Sequence, residues 1–599
     1  MNDRPATTLV NISGTEDAIR RQLVEERSRL RREAGLSANE HFRRPQERAF
    51  LSHERGKVTI LFGGLTWKHE ALIKAVFQGN GYRCENLPLA NVADFQAGKE
   101  YGNNGQCNPT YFTVGNLVRF LQSLEAQGVS RQEIVDNYVF FTAGSCGPCR
   151  FGMYEAEYRY ALQNAGFGDF RVLLFQQTDG IKAASGEPGL KFSVNFGLGM
   201  LNALNLGDVT NDLIFQIRPF ETNPGEADRV FDEAVDELCR TLRDRKPFEF
   251  MEDAPAWLTK RAGKYDAVKN TLSILCKIYD HIYGKELTGA LETCRDRINK
   301  IEVDRTKVKP IVKITGEFWA QTTEGDGNFH IFQFLEREGA QVLVEPIATW
   351  VAYMLHVAGL GSAQRKAVDG PHPHPARWEV TKLFANELKF RKKMAMFDVG
   401  EAMWSYFYHR TCDKLGGITH RLVPQAELVN LANPFYHQLA RGGEGYMEVG
   451  KNVYYTMNHM CHMVLALKPF GCMPSAQSDG VQSAVINRFR EMIFLPIETS
   501  GEGEVNAHSR VQMALGEAKA KARQEFDTVL KSTGKNLDDI KSFVADHPEL
   551  KRPLYHVPHQ PGIAGTGAQF VLHVSKLMDK RNRFWRGSRT SSLQPTVAA

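Results

Sequence analysis

Short apolar runs that end in glycine or proline, separated by stretches with helical spacing, recur along the chain. Residues 58–62 (VTILF) run into Gly63-Gly64, which predicts a buried strand with a tight exit. Residues 70–78 then place Ile73, Val76 and Phe77 at helical spacing, and a second strand starts at Gly81 and stops at Pro88. The same order returns later. Residues 311–315 end at Gly316, a helical stretch holds Phe332 and Leu335, and a strand runs from Gly339 to Pro346. The two Gly-to-Pro segments have identical spacing, as an internal duplication would leave. Further strands are predicted at 138–141 and 172–175 in the first unit and at 493–496 in the second. Buried strands alternating with helices predict parallel sheets with right-handed crossovers.

On this reading residues 1–50 form a polar arm with a surface helix over 22–34, suited to docking. Residues 51–226 form a first α/β domain and 227–308 a helical connector, where Val230, Phe231, Ala234, Val235, Leu238 and Leu242 make one apolar stripe. Residues 309–530 form the second α/β domain. Residues 531–599 are a C-terminal extension, rich in Gly, Pro, Ser and Arg after Pro553 and expected to be partly disordered. The expected fold class is α/β, with two similar parallel-sheet, Rossmann-like domains, a helical connector, and a site between the domains.

Composition narrows the function classes. Over 599 residues, 74 Lys and Arg stand against 69 Asp and Glu, a net charge of +5 that gives no reason to expect nucleic acid as a partner. No apolar run is long enough for a membrane span, and the first thirty residues lack the apolar core of a secretory signal. Ten cysteines are too sparse for a disulfide scaffold, so a reducing cytoplasm is the expected location. The chain contains no GxxxxGK[ST], HExxH or GxSxG sequence. Gly562-x-x-Gly565-x-Gly567 lies in the tail and not after a strand, so it is not a dinucleotide fingerprint.

The cysteines carry the candidate chemistry. Cys84 falls in a predicted strand, Cys239, Cys276 and Cys294 in helical patterns, and Cys412 after a helical run; these five read as structural. Four others differ. Cys107-Asn-Pro109, Cys146-Gly-Pro148 and Cys472-Met-Pro474 repeat one pattern, and Cys149 completes Cys146-Gly-Pro-Cys149. A proline background of about 5% would place Pro at that position roughly half a time in ten cysteines, against the three cases here. Cys146 and Cys472 stand just beyond buried runs, where doubly wound sheets bind ligands. Thiolates on stiff loops beside helix starts suit soft metals. Three readings stay open. Cys107, Cys146, Cys149 and Cys472 could hold an iron–sulfur cluster; the same set could hold structural zinc; or Cys146 and Cys149 could exchange disulfides as in thioredoxin. Cys461 lies in Asn458-His459-Met460-Cys461-His462, where the continuation through Val464, Leu465 and Leu467 predicts a buried helix with His459 and His462 on one face. His372 and His374, in Pro-His-Pro-His-Pro, read as an exposed rigid loop.

The segments GNNGQCNP (102–109), TAGSCGPCRFG (142–152) and FGCMP (470–474) together resemble the 2-hydroxyacyl-CoA dehydratase superfamily. The nearest branch is the dehydratase-like C-terminal portion of the large acyl-CoA dehydratase activase proteins, related to the double-cubane cluster proteins. The resemblance spans roughly residues 55–530, with three motifs in the expected order. It implies two α/β domains with a [4Fe–4S] or double-cubane cluster between them, Cys107, Cys146 and Cys472 as ligands, and Cys149 as the branch's extra thiol. It also implies electron delivery by an ATP-hydrolysing activator with its own cluster. Large activases carry that ATPase on the same polypeptide; its modules are missing here, so the activator is expected as a separate chain, with this chain in a homo- or hetero-oligomer. The expected function is a reductase or dehydratase-like component acting on a small substrate or CoA thioester. The substrate groups are not legible in the sequence.

Overall fold

A computed structural model describes residues 48, 50–144, 149–176, 190–262, 265–368, 378–440 and 442–590, with part of a helix within 23–33. Cys146, His372 and His374 lie outside the described residues. Met1–Gln46 is one unit, and Glu47–Ala599 is a second that contains both sheets.

The first sheet is built on β1 (Thr59–Phe62), flanked by β2 (Arg83–Asn86) and β3 (Tyr138–Gly144), with β4 (Arg171–Gln176) beyond β3. All pairs are parallel, with Ile60 opposite Cys84 on one side and Val139 on the other, in the order β2-β1-β3-β4. The second sheet repeats the plan. β5 (Ile311–Gly316), β6 (Gln341–Leu343), β7 (Met463–Pro469) and β8 (Phe494–Thr499) pair in parallel in the order β6-β5-β7-β8. Every residue of β5 and β7 is buried, as strands covered on both faces require. In this order the chain winds away in opposite directions from the two central strands. Their C-terminal ends therefore border a crevice in each sheet.

The predicted helix through Val464, Leu465 and Leu467 is corrected to the strand β7. Its uniform apolarity comes from burial on both faces, which erases the period that separates strand from helix. His459 sits in left-handed backbone at φ 48° before the strand, so it shares no helix face with His462.

Helices cover both sheets. In the first half these are α1 (Trp67–Gly79), α2 (Val92–Tyr101), α3 (Asn108–Ala126) and α4 (Tyr154–Asn164). Helices α2 and α3 cross so closely that a Cβ on Gly98 would lie 1.9 Å from the Tyr111 carbonyl oxygen. Next come α5 (Val194–Ile217), α6 (Glu226–Asp244), α7 (Asp266–Tyr283) and α8 (Lys285–Ile298). The six stripe residues of α6 are all buried, and Cys294 of α8 packs against it with its thiol directed to the Ala234 carbonyl. The second half adds α9 (Ile347–Gln364), α10 (Val380–Lys414), α11 (Tyr446–Met457), α12 (Met473–Arg488) and α13 (Glu504–Thr533). The tail contains α14 (Thr566–Thr590), whose Phe570, Val571 and Val574 pack on Phe526 of α13 and Leu550. No helix among the described residues is long and apolar enough to cross a membrane.

Helix α5 runs between the halves and packs on α1 of the first and on β6, α9 and α10 of the second. Its apolar residues join one core that holds Ile60 of β1 and Ile314 of β5 alike. Its buried polar residues fix the arrangement. Asp208 accepts from the Ile347 and Ala348 amides at 2.7 Å each, capping α9, and pairs at 3.1 Å with His69 of α1. His69 in turn meets the Thr66 hydroxyl at 2.7 Å. Asp212 holds both the ring (2.8 Å) and the amide (2.7 Å) of His420. Asn202 donates to His281 at 2.9 Å; burial and the Arg245 charge keep that histidine neutral, its pKa lowered to about 3.

Removing one member of a buried hydrogen-bonded network strands its partners. Asp208→Ala should therefore lower unfolding stability by about 3–5 kcal/mol, read by urea denaturation. Asp212→Asn, which keeps the shape and part of the hydrogen bonding, should cost less.

Candidate functional site

Three of the four candidate cysteines are described, and each is a helix N-cap. Cys107 precedes α3, Cys472 precedes α12, and Cys149 precedes the short turn Arg150–Met153 that leads into α4. Each has extended backbone, at ψ 155°, 113° and 131°. The proline that follows two residues after Cys107 and Cys472 falls in the first helical turn. There its missing N–H is no loss and its fixed φ favours the helix. Cys-x-Pro is thus a helix-start device that leaves the thiol on the helix's positive end.

The fold brings these starts together at the C-terminal ends of the strands. The Asn108 amide donates to the Phe470 carbonyl at 3.0 Å, joining the Cys107 loop of the first half to the Cys472 loop of the second. Gly471 makes the approach possible. It sits at φ 76°, and a Cβ there would lie 3.1 Å from the Gln106 carbonyl oxygen and 3.4 Å from the Cys107 Cα. The Cys107 Sγ lies 3.2 Å from the Tyr154 Oη and 3.0 Å from the Thr110 Oγ1. Glu157 of α4 accepts from the Asn103 amide at 2.7 Å, and the Arg150 guanidinium donates to the Gly105 carbonyl. Arg150 therefore ties the Cys149 loop to the Cys107 loop. Beneath lies a dry wall of Phe95, Tyr111 and Phe112 against Trp319, with the Phe112 and Trp319 rings 5.4 Å apart across the two halves.

Two carboxylic acids, one half-buried and one buried, complete the site. Glu317 follows Gly316 at the end of β5, and its carboxylate accepts from the Ala320 amide at 2.9 Å. Burial pushes its pKa up to about 7. Glu444 stands just before α11, and burial with repulsion from Glu317 and Glu448 pushes it up to about 8. The thiols feel the same two groups. Burial raises Cys149 to about 12, with Glu444, Glu317 and Cys107 adding to it. Cys472 is raised further, by burial and then by Glu317 and Glu444. Tyr154 is pushed well above its ordinary value by burial and by Cys107.

Cys107, Cys149 and Cys472 therefore face one space together with Glu317, Glu444 and Tyr154. Among the described residues, no group of three or more His, Cys, Asp or Glu is drawn together tightly enough to hold a single metal ion. Cys461 stands apart. It precedes β7 while Cys472 follows it, so the seven-residue strand, about 23 Å long, separates the two thiols. Cys239, half-buried in α6, and Cys294 and Cys412, buried in α8 and α10, are core residues far along the chain's helical layers.

The donor set fits an iron–sulfur centre. Burial raises Cys149, Cys472, Tyr154, Glu317 and Glu444 above their ordinary values, and a cationic centre would supply the charge that lets thiolates form. The Asn108 side chain, 2% exposed beside Cys107, has no hydrogen-bond partner among the described residues at either polar atom, and neither does the Gln321 Oε1. A cavity of about 530 Å³ lies beside Cys472 on the second half, bordered also by Ser475, Lys468 and Arg510. No protein-family model and no curated relative matches the chain.

The sequence offered no sign of Glu317 or Glu444, since a single glutamate beside glycine is commonplace. In the metal-free protein, alkylation of Cys149 and Cys472 by iodoacetamide should be slow at pH 8 and rise steeply above pH 10, read by mass spectrometry of labelled peptides. The sign follows from the raised pKa, which keeps the thiol protonated across neutral pH. Glu317→Gln with Glu444→Gln should speed labelling at both cysteines.

Proposed function

We propose that this chain is an iron–sulfur reductase or dehydratase-like component. Cys107, Cys146, Cys149 and Cys472 hold a [4Fe–4S] or double-cubane cluster between the two α/β halves. It receives low-potential electrons from a separate ATP-hydrolysing activator and acts on a small substrate or CoA thioester. One observation supports this reading: the Cys107 and Cys472 helix starts, from different halves, are joined by the Asn108–Phe470 hydrogen bond, and Glu317 and Glu444 act on both Cys149 and Cys472. Such a centre, when bound, supplies single electrons.

The chain's own residues do the rest. Tyr154 can donate its hydroxyl proton toward the Cys107 sulfur, which tunes the ligand. Ser475 does the same for Cys472 at 3.2 Å. The aromatic wall of Phe95, Phe112 and Trp319 excludes water below the site. Glu317 and Glu444, neutral or charged near pH 7, can hold or release a proton beside the reacting space. The cavity beside Cys472 gives a small substrate its approach.

Protein purified without oxygen should be brown and contain iron and acid-labile sulfide. Cys107→Ala and Cys146→Ala should lose most of the iron, while Cys239→Ala keeps it. Equal iron in the Cys146 and Cys239 variants, or stoichiometric zinc without sulfide, would overturn the reading.

A further inference from the structure

Helix α10 is 35 residues long and uses one side only. Trp404 and Tyr408 are buried, with the Trp404 indole donating to the Ala348 carbonyl at 2.8 Å, and Met394 and Phe397 lie against Gly359 of α9. The opposite side is apolar and largely exposed among the described residues, with the Tyr406 hydroxyl meeting that of Tyr283. Phe384 (69% exposed), Leu388 (58%), Met396 (65%), Val399 (64%), Met403 (44%) and Tyr406 (49%) form a stripe at three- and four-residue spacing, interrupted once by Lys392 between Leu388 and Met396. At roughly 200 Å² per large side chain, these six present on the order of 700 Å². That exceeds what a typical monomer exposes in one patch and approaches the ~800 Å² per partner of a stable interface.

The charges beside the stripe say what covers it. They are mirrored about Ala395. Lys392 and Asp398 lie three positions to either side, Lys389 and Glu401 six, and Phe384 and Tyr406 eleven. Lys389, Lys392 and Asp398 are exposed and make no ion pair with another described residue. Glu401 is half-buried against His356 at 3.1 Å. A second copy of the helix laid antiparallel across Ala395 meets Lys392 with Asp398 and each aromatic end with the other. A parallel copy would set Lys392 on Lys392.

We propose that α10 is a self-association face, on which two copies of this chain pack antiparallel about a two-fold axis near Ala395. The pairing is isologous, so every contact is made twice. It rests on the packing and charge of this helix alone and stands or falls independently of the cysteine chemistry.

The test is sedimentation velocity of the full chain over a concentration series, with circular dichroism confirming the fold of each variant. The wild type should sediment as a dimer. Leu388→Asp should be monomeric. Lys392→Glu and Asp398→Lys should each weaken association about tenfold or more by placing like charges together. An equimolar mixture of those two variants should recover dimer, because each then meets its complement in the other chain. A wild type that stays monomeric overturns the proposal. So does a mixture that fails to recover, or a monomeric wild type that pelts down with vesicles of phosphatidylglycerol, which would make the stripe a membrane-surface face.

Discussion

The contact between the Cys107 and Cys472 loops depends on the two sheets being held in one relative position, and α5 sets that position through buried polar bonds. Apolar packing is non-directional; a core such as the one shared by Ile60 and Ile314 would tolerate a small slide between layers. Asp208 does not. Its carboxylate meets two amides of α9 at 2.7 Å while engaging His69 of α1, so one side chain fixes an element from each half. Asp212 repeats this further along with His420. A hydrogen bond weakens steeply once stretched, which turns a displacement of a fraction of an ångström into an energetic cost. The backbone bond from Asn108 to Phe470 inherits this precision.

The same geometry explains the site's electrostatics. The Cys149 and Cys472 thiols, Tyr154 and both glutamates are acids brought to one place, where burial and neighbouring acids disfavour ionisation. Every raised value there has burial as its largest cause, with mutual repulsion added. Such an arrangement is costly for a protein whose thiols serve only to fill space, because apolar residues would do that without repulsion. It makes chemical sense where positive charge or a proton arrives. Cys412 shows the contrast: it too is raised by burial, yet it sits in a helix among core residues with no converging thiols.

Much of the fold was legible because glycine and proline punctuate it. The first two strands of each half and the α6 stripe follow from local spacing alone. The failures have physical causes. Strand β7 reads as helix because all seven residues are buried, leaving no alternation. Helix α5 is apolar on nearly every side, so it has no stripe either; its signal was Asn202, Asn205, Asp208 and Asp212 recurring at helical spacing inside an apolar run. Glu317 and Glu444 gain meaning only when β5 and α11 place them beside thiols remote in sequence.

The repeated sheet order gives the site its logic. In both halves the loops after the first and third strands border the crevice, yet the halves fill them differently. After β1 stands Gly63-Gly64, whose turn is held by Glu70 accepting from the Gly64 amide at 2.8 Å; after β5 stands Glu317. After β3 come Cys146 and Cys149; after β7 comes Cys472. Two copies of one plan facing each other across strand ends will place equivalent loops together without any loop being long. Divergence then needs to change only the residues at the loop tips. One half alone would hold an incomplete set of thiols open to solvent, with no Trp319 to dry the wall against Phe112. The site is therefore a property of the pair of halves, and what holds the halves in register, above all α5, is as much a part of it as the cysteines.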